Sequence, residues 1–215
     1  MTDTRHSSND EGGTEIGGGR AGKRRSTDII LGSEPLVPRY AFFVKGDGVH
    51  TQKLNSFEMA LRDAGISQFN LVRVSSIFPP HCKIVSPKVG LDHMQPGQIV
   101  HCVMANSETN EPNRLIAAAV GLARPRDPGQ FGYLSEHHSF GETGKKAGDY
   151  CEDLAATMLA TLLGVEFDPN KNYDERKEIY RMSGRIVESR SVVQSAEGNK
   201  DGHWTTVVAA CLFIT

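Results

Sequence analysis

Asn70-Leu-Val-Arg-Val-Ser75-Ser76-Ile-Phe-Pro79-Pro80 is the stretch of this chain whose reading decides the rest. It runs apolar and β-branched into two adjacent serines and stops at a double proline. Valine and isoleucine suit a pleated, half-buried strand, and Pro79-Pro80 cannot continue its ladder. The pattern predicts a strand with the serine pair at its very end, where a backbone is bent and held. By themselves, two neighbouring serines at such a place are an ordinary turn. The surrounding sequence decides whether they are more.

Upstream, Tyr40-Ala-Phe-Phe-Val-Lys45 reads as a buried strand closed by a turn at Gly46-Asp-Gly48. Phe57, Ala60, Leu61 and Ala64 then recur at helical spacing, with Asn55 or Ser56 as N-cap and Gly65 at the stop. Downstream, residues 99–105 and 115–123 are strand-like, the second nearly continuous in small apolar residues, as a strand covered on both faces would be. Residues 131–137 alternate as another strand. Residues 145–163 give the clearest helix, with Ala147, Cys151, Leu154, Ala155, Met158 and Leu162 as its apolar stripe and Gly164 ending it. A short charged segment at 173–180 precedes two last strands, 185–193 and 204–214, which read as a hairpin around Glu197-Gly-Asn-Lys-Asp-Gly202. Strands outnumber helices and do not alternate with them. The expectation is an α+β fold, a layered αββα-type sandwich of mainly antiparallel strands with flanking helices.

Residues 1–34 are glycine-rich, with interleaved charges and few large apolar groups before Ile29-Ile30-Leu31. Such a composition buries too little surface to offset chain entropy, so a disordered tail is expected there and a single domain over 35–215. Lys23-Arg24-Arg25 is balanced by the tail's own acids and reads as solvated linker. Over the whole chain, 24 Lys and Arg face 26 Asp and Glu, a net charge of −2 that offers nucleic acid no pull. No apolar run approaches the length of a membrane helix, and the start lacks the apolar core of a secretory signal. Cys82, Cys102, Cys151 and Cys211 are scattered with no Cys-x-x-Cys pair, and most are expected to pack as reduced hydrophobes. These features point to the cytoplasm, with no membrane and no nucleic acid as partner.

Several chemistries are excluded by their missing motifs. There is no Gly-x-Gly-x-x-Gly and no phosphate loop despite 22 glycines, no Gly-x-Ser-x-Gly, and no His-Glu-x-x-His. His137 and His138 are sequence neighbours in a strand, so their rings point to opposite faces and share an ion poorly. No metal is expected.

Leu54-Asn-Ser-Phe-Glu58-Met-Ala-Leu-Arg-Asp-Ala-Gly-Ile, followed by the Asn70 to Pro80 stretch, resembles the pyruvoyl-dependent arginine decarboxylases. In that family the Asn-Leu-aliphatic-Arg-aliphatic-Ser-Ser-Ile-apolar-Pro-Pro string carries a self-cleavage site. The resemblance is dense over this region, weaker through Glu136, the helix after it and the closing strand, and absent from the tail. It implies that Ser76 Oγ attacks the Ser75 carbonyl carbon, exchanging amide for ester in a backbone expected to be strained. β-Elimination and hydrolysis would leave a β chain, Met1 to Ser75, and an α chain, 76–215, headed by a covalent pyruvoyl cofactor made from Ser76. The pyruvoyl ketone would form a Schiff base with the amine of an amino-acid substrate and act as electron sink.

The resemblance also assigns residues. Glu136 aligns with the family's proton donor, and burial in an apolar strand would raise its pKa. Asn70 is the candidate for polarising the Ser75 carbonyl. Glu58 stands where the family grips the substrate guanidinium with an aspartate, keeping the charge on a longer arm. Leu54 and Ile77 match the family's pocket, Ser67 replaces a frequent glycine, and Phe69 replaces a small aliphatic. The implied substrate is L-arginine, giving agmatine and carbon dioxide. Another basic amino acid such as histidine, or an unprocessed relative with an assembly or binding role, remains open at this point, as does the pathway (polyamine synthesis or acid resistance). Family members assemble as trimers of cleaved protomers with pockets between subunits, so a homotrimer is implied, in which Glu136 would serve a neighbour's pyruvoyl.

Overall fold

A computed structural model describes residues 35–168 and 170–215. The tail expected at 1–34 lies outside the described residues. In chain order the elements are β1 (Tyr40–His50), α1 (Lys53–Asp63), β2 (Asn70–Arg73), β3 (Ile77–Phe78), β4 (Lys83–Ile84), α2 (Pro87–Asp92), β5 (Ile99–Thr109), β6 (Leu115–Pro125), β7 (Gly132–Phe140), α3 (Gly144–Leu163), α4 (Tyr173–Met182), β8 (Ile186–Glu197) and β9 (Trp204–Ile214). They build two sheets, one ordered β2-β5-β9-β1-β4 and the other β3-β7-β6-β8. Only the short β1–β4 and β2–β5 pairings are parallel.

Three apolar layers hold the sandwich together. Between the sheets, Val103, Ala105, Val207 and Ala209 of the first meet Ile116, Val120, Leu122 and Leu134 of the second. The outer face of the first sheet, with Val100, Cys102, Val208 and Leu212, packs under Ala60, Ala64 and Ile66 of the α1 region. The outer face of the second, with Ala123 and Ile186, receives Ala155, Ala156 and Leu159 of α3 and Tyr180 of α4. This is the αββα arrangement expected. The small side chains of β6 are buried along nearly its whole length, as a strand covered on both faces requires.

Four local expectations are corrected. Gly46-Asp-Gly48 is not a turn but mid-strand, since β1 runs on to His50. Its glycines serve a close approach: a Cβ at Gly46 would stand 2.4 Å from Ala60 O, and one at Gly48 2.5 Å from Ser56 O. The backbone of α1 therefore lies directly on β1. Neither Asn55 nor Ser56 caps α1, which begins after Gln52 without a side-chain cap. Ser56 is buried inside the helix instead and shares a 2.7 Å hydrogen bond with Thr206 of β9. Gly65, with φ +75°, does mark the helix end.

β8 and β9 are not a hairpin. β8 pairs with β6 in one sheet and β9 with β1 and β5 in the other, so Glu197 to Gly202 crosses between layers. β9 is buried along nearly its full length, which only the centre of a sheet provides. Of the stripe expected on α3, Ala147, Cys151 and Ala155 are buried, but its larger members are not. Leu154 and Met158 are half-buried and Leu162 is exposed, while Gly148, Ala156 and Ala160 are buried along with Glu152 and Asp153. Close packing on a small-residue sheet selects alanine and glycine there, and the two buried carboxylates are paired by Lys177 and Arg176 of α4.

All four cysteines are buried free thiols. Burial pushes the Cys82, Cys102 and Cys151 thiols up to about 11, so each stays protonated and inert at neutral pH. None of the described helices is long and apolar enough to cross a membrane. Among the described residues no group of three or more His, Cys, Asp and Glu is placed to hold a metal ion.

Candidate active site

The predicted strand through the serines is in fact two strands in different sheets. β2 is an edge of the first sheet and β3 an edge of the second, so Val74-Ser75-Ser76 is the span by which the chain changes sheet. Both ends of the span are tied. Val74 N donates to Cys102 O of β5 at 2.9 Å, and Leu134 N of β7 donates to Ser76 O at 2.7 Å. The Ser75–Ser76 bond thus hangs between one hydrogen bond to each sheet. Ile77 N closes a tight turn over it, donating to Ser75 O at 3.0 Å. No strain of the kind expected is visible in φ, since among described non-glycine residues only His81 and Asn113 have positive values. Ser75 is exposed and Ser76 half-buried. Ser75 and Ile77 line a largely apolar groove of about 460 Å³ with Val74, Pro79, His101 and Phe213.

Glu136 reaches this span through the register of β7. Tyr133 faces Ile77 and Gly132 faces Phe78; the Leu134 N to Ser76 O hydrogen bond extends that register by one residue, and Glu136 stands two residues further along β7. Leu134 points into the layer between the sheets, and period-two alternation sends Glu136 to the same side. There it meets the edge of β5 just where β2 has left it. The Met104 backbone, without a β2 partner beyond Arg73, hydrogen-bonds the Glu136 carboxylate. Burial is the largest influence on this carboxyl and pushes its pKa up, against Arg73, His138 and the Met104 hydrogen bond, which favour the charged form. Burial wins, so the proton is held beyond the ordinary carboxylate range.

The other predicted residues fall into separate places. Asn70 stands at the opposite end of β2, its Nδ2 donating to Gly97 O at 2.7 Å. At ~3.3 Å per strand residue it lies roughly 16 Å along the chain from Ser75, and the structure does not bring it to that carbonyl. Phe69 is 8 % exposed and belongs to the core beneath the first sheet, and Ser67 is exposed in the turn before β2. Leu54, 75 % exposed, lines a second mouth of about 350 Å³ with Phe57, Arg73 and Asn106. Glu58 lies one turn further along the same helix and pairs with Arg62 at 2.6 Å. This mouth and the serine groove have no lining residue in common. Ile77 alone of the pocket residues flanks the serines.

Arg73, to which the sequence assigns no role, connects the Leu54 mouth to Glu136. Its Nη2 donates to Asn106 Oδ1 at 2.6 Å, it lines the Leu54 mouth, and its charge acts on Glu136. Alternation along β2 places Arg73 with Leu71 on one face, a signal present in the sequence. The Met104, Leu134 and Ile77 amides are backbone groups and leave no such signal.

The profile of the family described as pyruvoyl-dependent arginine decarboxylase matches residues 40–215. The chain belongs to that family. Among curated relatives of this pyruvoyl-dependent arginine decarboxylase family, a probable pyruvoyl-dependent arginine decarboxylase of Chloroherpeton thalassium is 60 % identical over 179 residues, 83 % of this chain and 98 % of the relative. The pyruvoyl-dependent arginine decarboxylase of Methanococcoides burtonii is 57 % identical over 179 residues, covering 83 % and 99 %. Pyruvoyl-dependent arginine decarboxylase 2 of Methanosarcina mazei is 56 % identical over 180 residues, covering 84 % and 98 %. The family's cofactor is a pyruvoyl group, and the serine span fits its formation: an accessible Ser75 and a Ser76 whose carbonyl is already held by Leu134 N.

Proposed function

We propose that the chain cuts itself between Ser75 and Ser76 and converts L-arginine to agmatine and carbon dioxide. The observation that carries this reading is the Ser75–Ser76 span between the two sheets, with Glu136 two residues along β7 from the Leu134 that holds it. The names of relatives 56 to 60 % identical over nearly their whole length support arginine as substrate. The pyruvoyl ketone, once made, supplies the electrophile for the substrate amine and accepts the electrons left as carbon dioxide departs. The protein's share is to bind, shield and protonate. Leu134 N holds the Ser76 carbonyl, which survives the cut, and so fixes the new chain end on β7. The Glu136 carboxyl, whose pKa burial raises, delivers a proton to the substrate α-carbon.

Leu54 covers the alkyl stem of the substrate and the Glu58 carboxylate takes its guanidinium in place of Arg62. In a homotrimer of cleaved protomers the α1 mouth of one subunit faces the serine groove of the next, which would complete a pocket that one chain leaves in two parts. Four buried free thiols favour a reducing compartment, the cytoplasm. Agmatine formed there is a precursor for polyamine metabolism.

Denaturing mass spectrometry of the purified protein is the decisive experiment. Two fragments meeting at Ser75/Ser76, the second blocked at its end as pyruvoyl, are expected; one intact chain would end the reading. Carbon dioxide release is then compared across arginine, histidine, lysine and ornithine, with arginine fastest. Glu58→Ala should raise KM for arginine ~10- to 100-fold, the worth of one charge-assisted hydrogen bond, and leave kcat nearly unchanged. An unaltered KM would remove Glu58 from the pocket.

A further inference from the structure

We infer that the Ile77 backbone N–H is the oxyanion donor for self-cleavage, the group that stabilises negative charge on the Ser75 carbonyl oxygen while the Ser75–Ser76 bond is exchanged. This rests on the proposed cut at that bond and adds the part of the machinery that the sequence assigned to Asn70.

The carbonyl attacked by Ser76 Oγ is that of Ser75, and its oxygen already accepts a hydrogen bond from Ile77 N at 3.0 Å. A carbonyl bonded to the amide two residues on is a γ-turn, here centred on Ser76. Ser76 has no positive φ, so the turn is the inverse form, a low-energy conformation common at strand ends. The donor is also uncommitted elsewhere. Leu134 N donates to Ser76 O, which makes Ser76 and Leu134 a hydrogen-bonded pair of the antiparallel ladder. Ile77 and Tyr133 are then the non-bonded pair that follows, and the Ile77 amide points away from β7. Among the described residues no side-chain donor reaches the Ser75 oxygen, and Asn70 is engaged with Gly97.

The step balances without any outside reagent. Ser76 Oγ forms a bond to the Ser75 carbonyl carbon, and the carbonyl π electrons move onto Ser75 O, where the Ile77 N–H meets them. The Oγ proton passes to Ser76 N. The electrons then return to re-form the carbonyl as the carbon–nitrogen bond breaks, leaving an ester and a free amine. A donor about 3 Å from the developing oxyanion lies within the range over which such groups act. The same turn, with Leu134 on the carbonyl beyond, fixes the Ser76 backbone before attack and removes rotational freedom that the step would otherwise have to spend.

The test replaces Ile77 by its α-hydroxy acid analogue, which keeps the side chain and exchanges the N–H for oxygen. Freshly made precursor is followed by denaturing mass spectrometry, so the readout is chain cleavage rather than decarboxylation. Cleavage should slow ~100-fold, the usual loss on removing one oxyanion donor, while the circular-dichroism spectrum of the uncut ester variant stays that of the Ser76→Ala chain. Parent-like cleavage in the ester variant would overturn the inference. A parent chain that is not cut at Ser75/Ser76 would sink the site itself, a separate outcome. Amide exchange in the uncut Ser76→Ala chain gives a second readout that needs no change at Ile77. The Ile77 amide should exchange more slowly than a free surface amide, and unprotected exchange would likewise overturn the assignment.

Discussion

Replacing Ser76 with alanine should leave one uncut chain of 215 residues with no measurable decarboxylase activity. Alanine removes the Oγ that attacks the Ser75 carbonyl, and nothing else in the span replaces it: Ser75 Oγ lies on the wrong side of the bond. Without the cut there is no ketone at position 76 and no electron sink, so the loss should be at least ~10⁶-fold, the low end of enzymic accelerations. The fold should survive. Ser76 is half-buried, and the hydrogen bonds that hold the span run through backbone groups of Val74, Ser76 and Leu134, which alanine retains. Denaturing mass spectrometry and circular dichroism on one sample check both statements. Cleavage at this bond in the variant would assign the nucleophile elsewhere.

Glu136→Gln should separate the two activities. Cleavage is expected to proceed, because the groups that act on the Ser75–Ser76 bond are Ser76 itself and backbone amides. Decarboxylation should fall by ~10²- to 10⁴-fold in kcat, the contribution of a positioned general acid. The pH profile sharpens the test. A proton donor works in its protonated form, so kcat of the parent should decline as pH rises through the raised pKa of Glu136. The glutamine variant should lose that descending limb. Unfolding is not an available explanation for lost turnover: a carboxyl whose pKa is raised by burial contributes most below its unfolded pKa and loses that contribution as pH climbs through the folded one. At neutral pH the uncharged glutamine should therefore melt no lower than the parent. Normal turnover in this variant would remove Glu136 from its role.

How much of this was legible in the sequence depends on what kind of group carries it. The layered fold, the covered strand β6 and the long helix α3 follow from periodicity, because side-chain pattern and burial are the same fact seen twice. Gly46 and Gly48 misled for a physical reason: glycine permits a turn and also permits a helix backbone to lie on a strand, and only the partner, α1, decides between them. The supposed hairpin of β8 and β9 failed because adjacency in sequence says nothing about which of two stacked sheets a strand joins. At the site, Ser75, Ser76 and Glu136 could be named, and their spatial relation is supplied by the register between β3 and β7. The Asn70 assignment carried over a residue type without its surroundings. The donors found around the span are amides of Ile77, Leu134 and Met104, and a backbone N–H is the same in every residue but proline.

The change of sheet at Ser75–Ser76 has a further consequence for molecularity. A cut there assigns β1, α1 and β2 to one polypeptide and the remaining elements to another, yet β1 faces β9 through 11 paired positions at the heart of a sheet. The two pieces are thus held as intimately as strands of one chain. Unfolding of the mature protein is also a dissociation, and its reversal requires two molecules to find each other. The midpoint of denaturation should rise with protein concentration for the cut form and be independent of it for a monomeric Ser76→Ala chain. Folding comes first on this account and cleavage second, because only the intact chain brings the two pieces together at unimolecular cost.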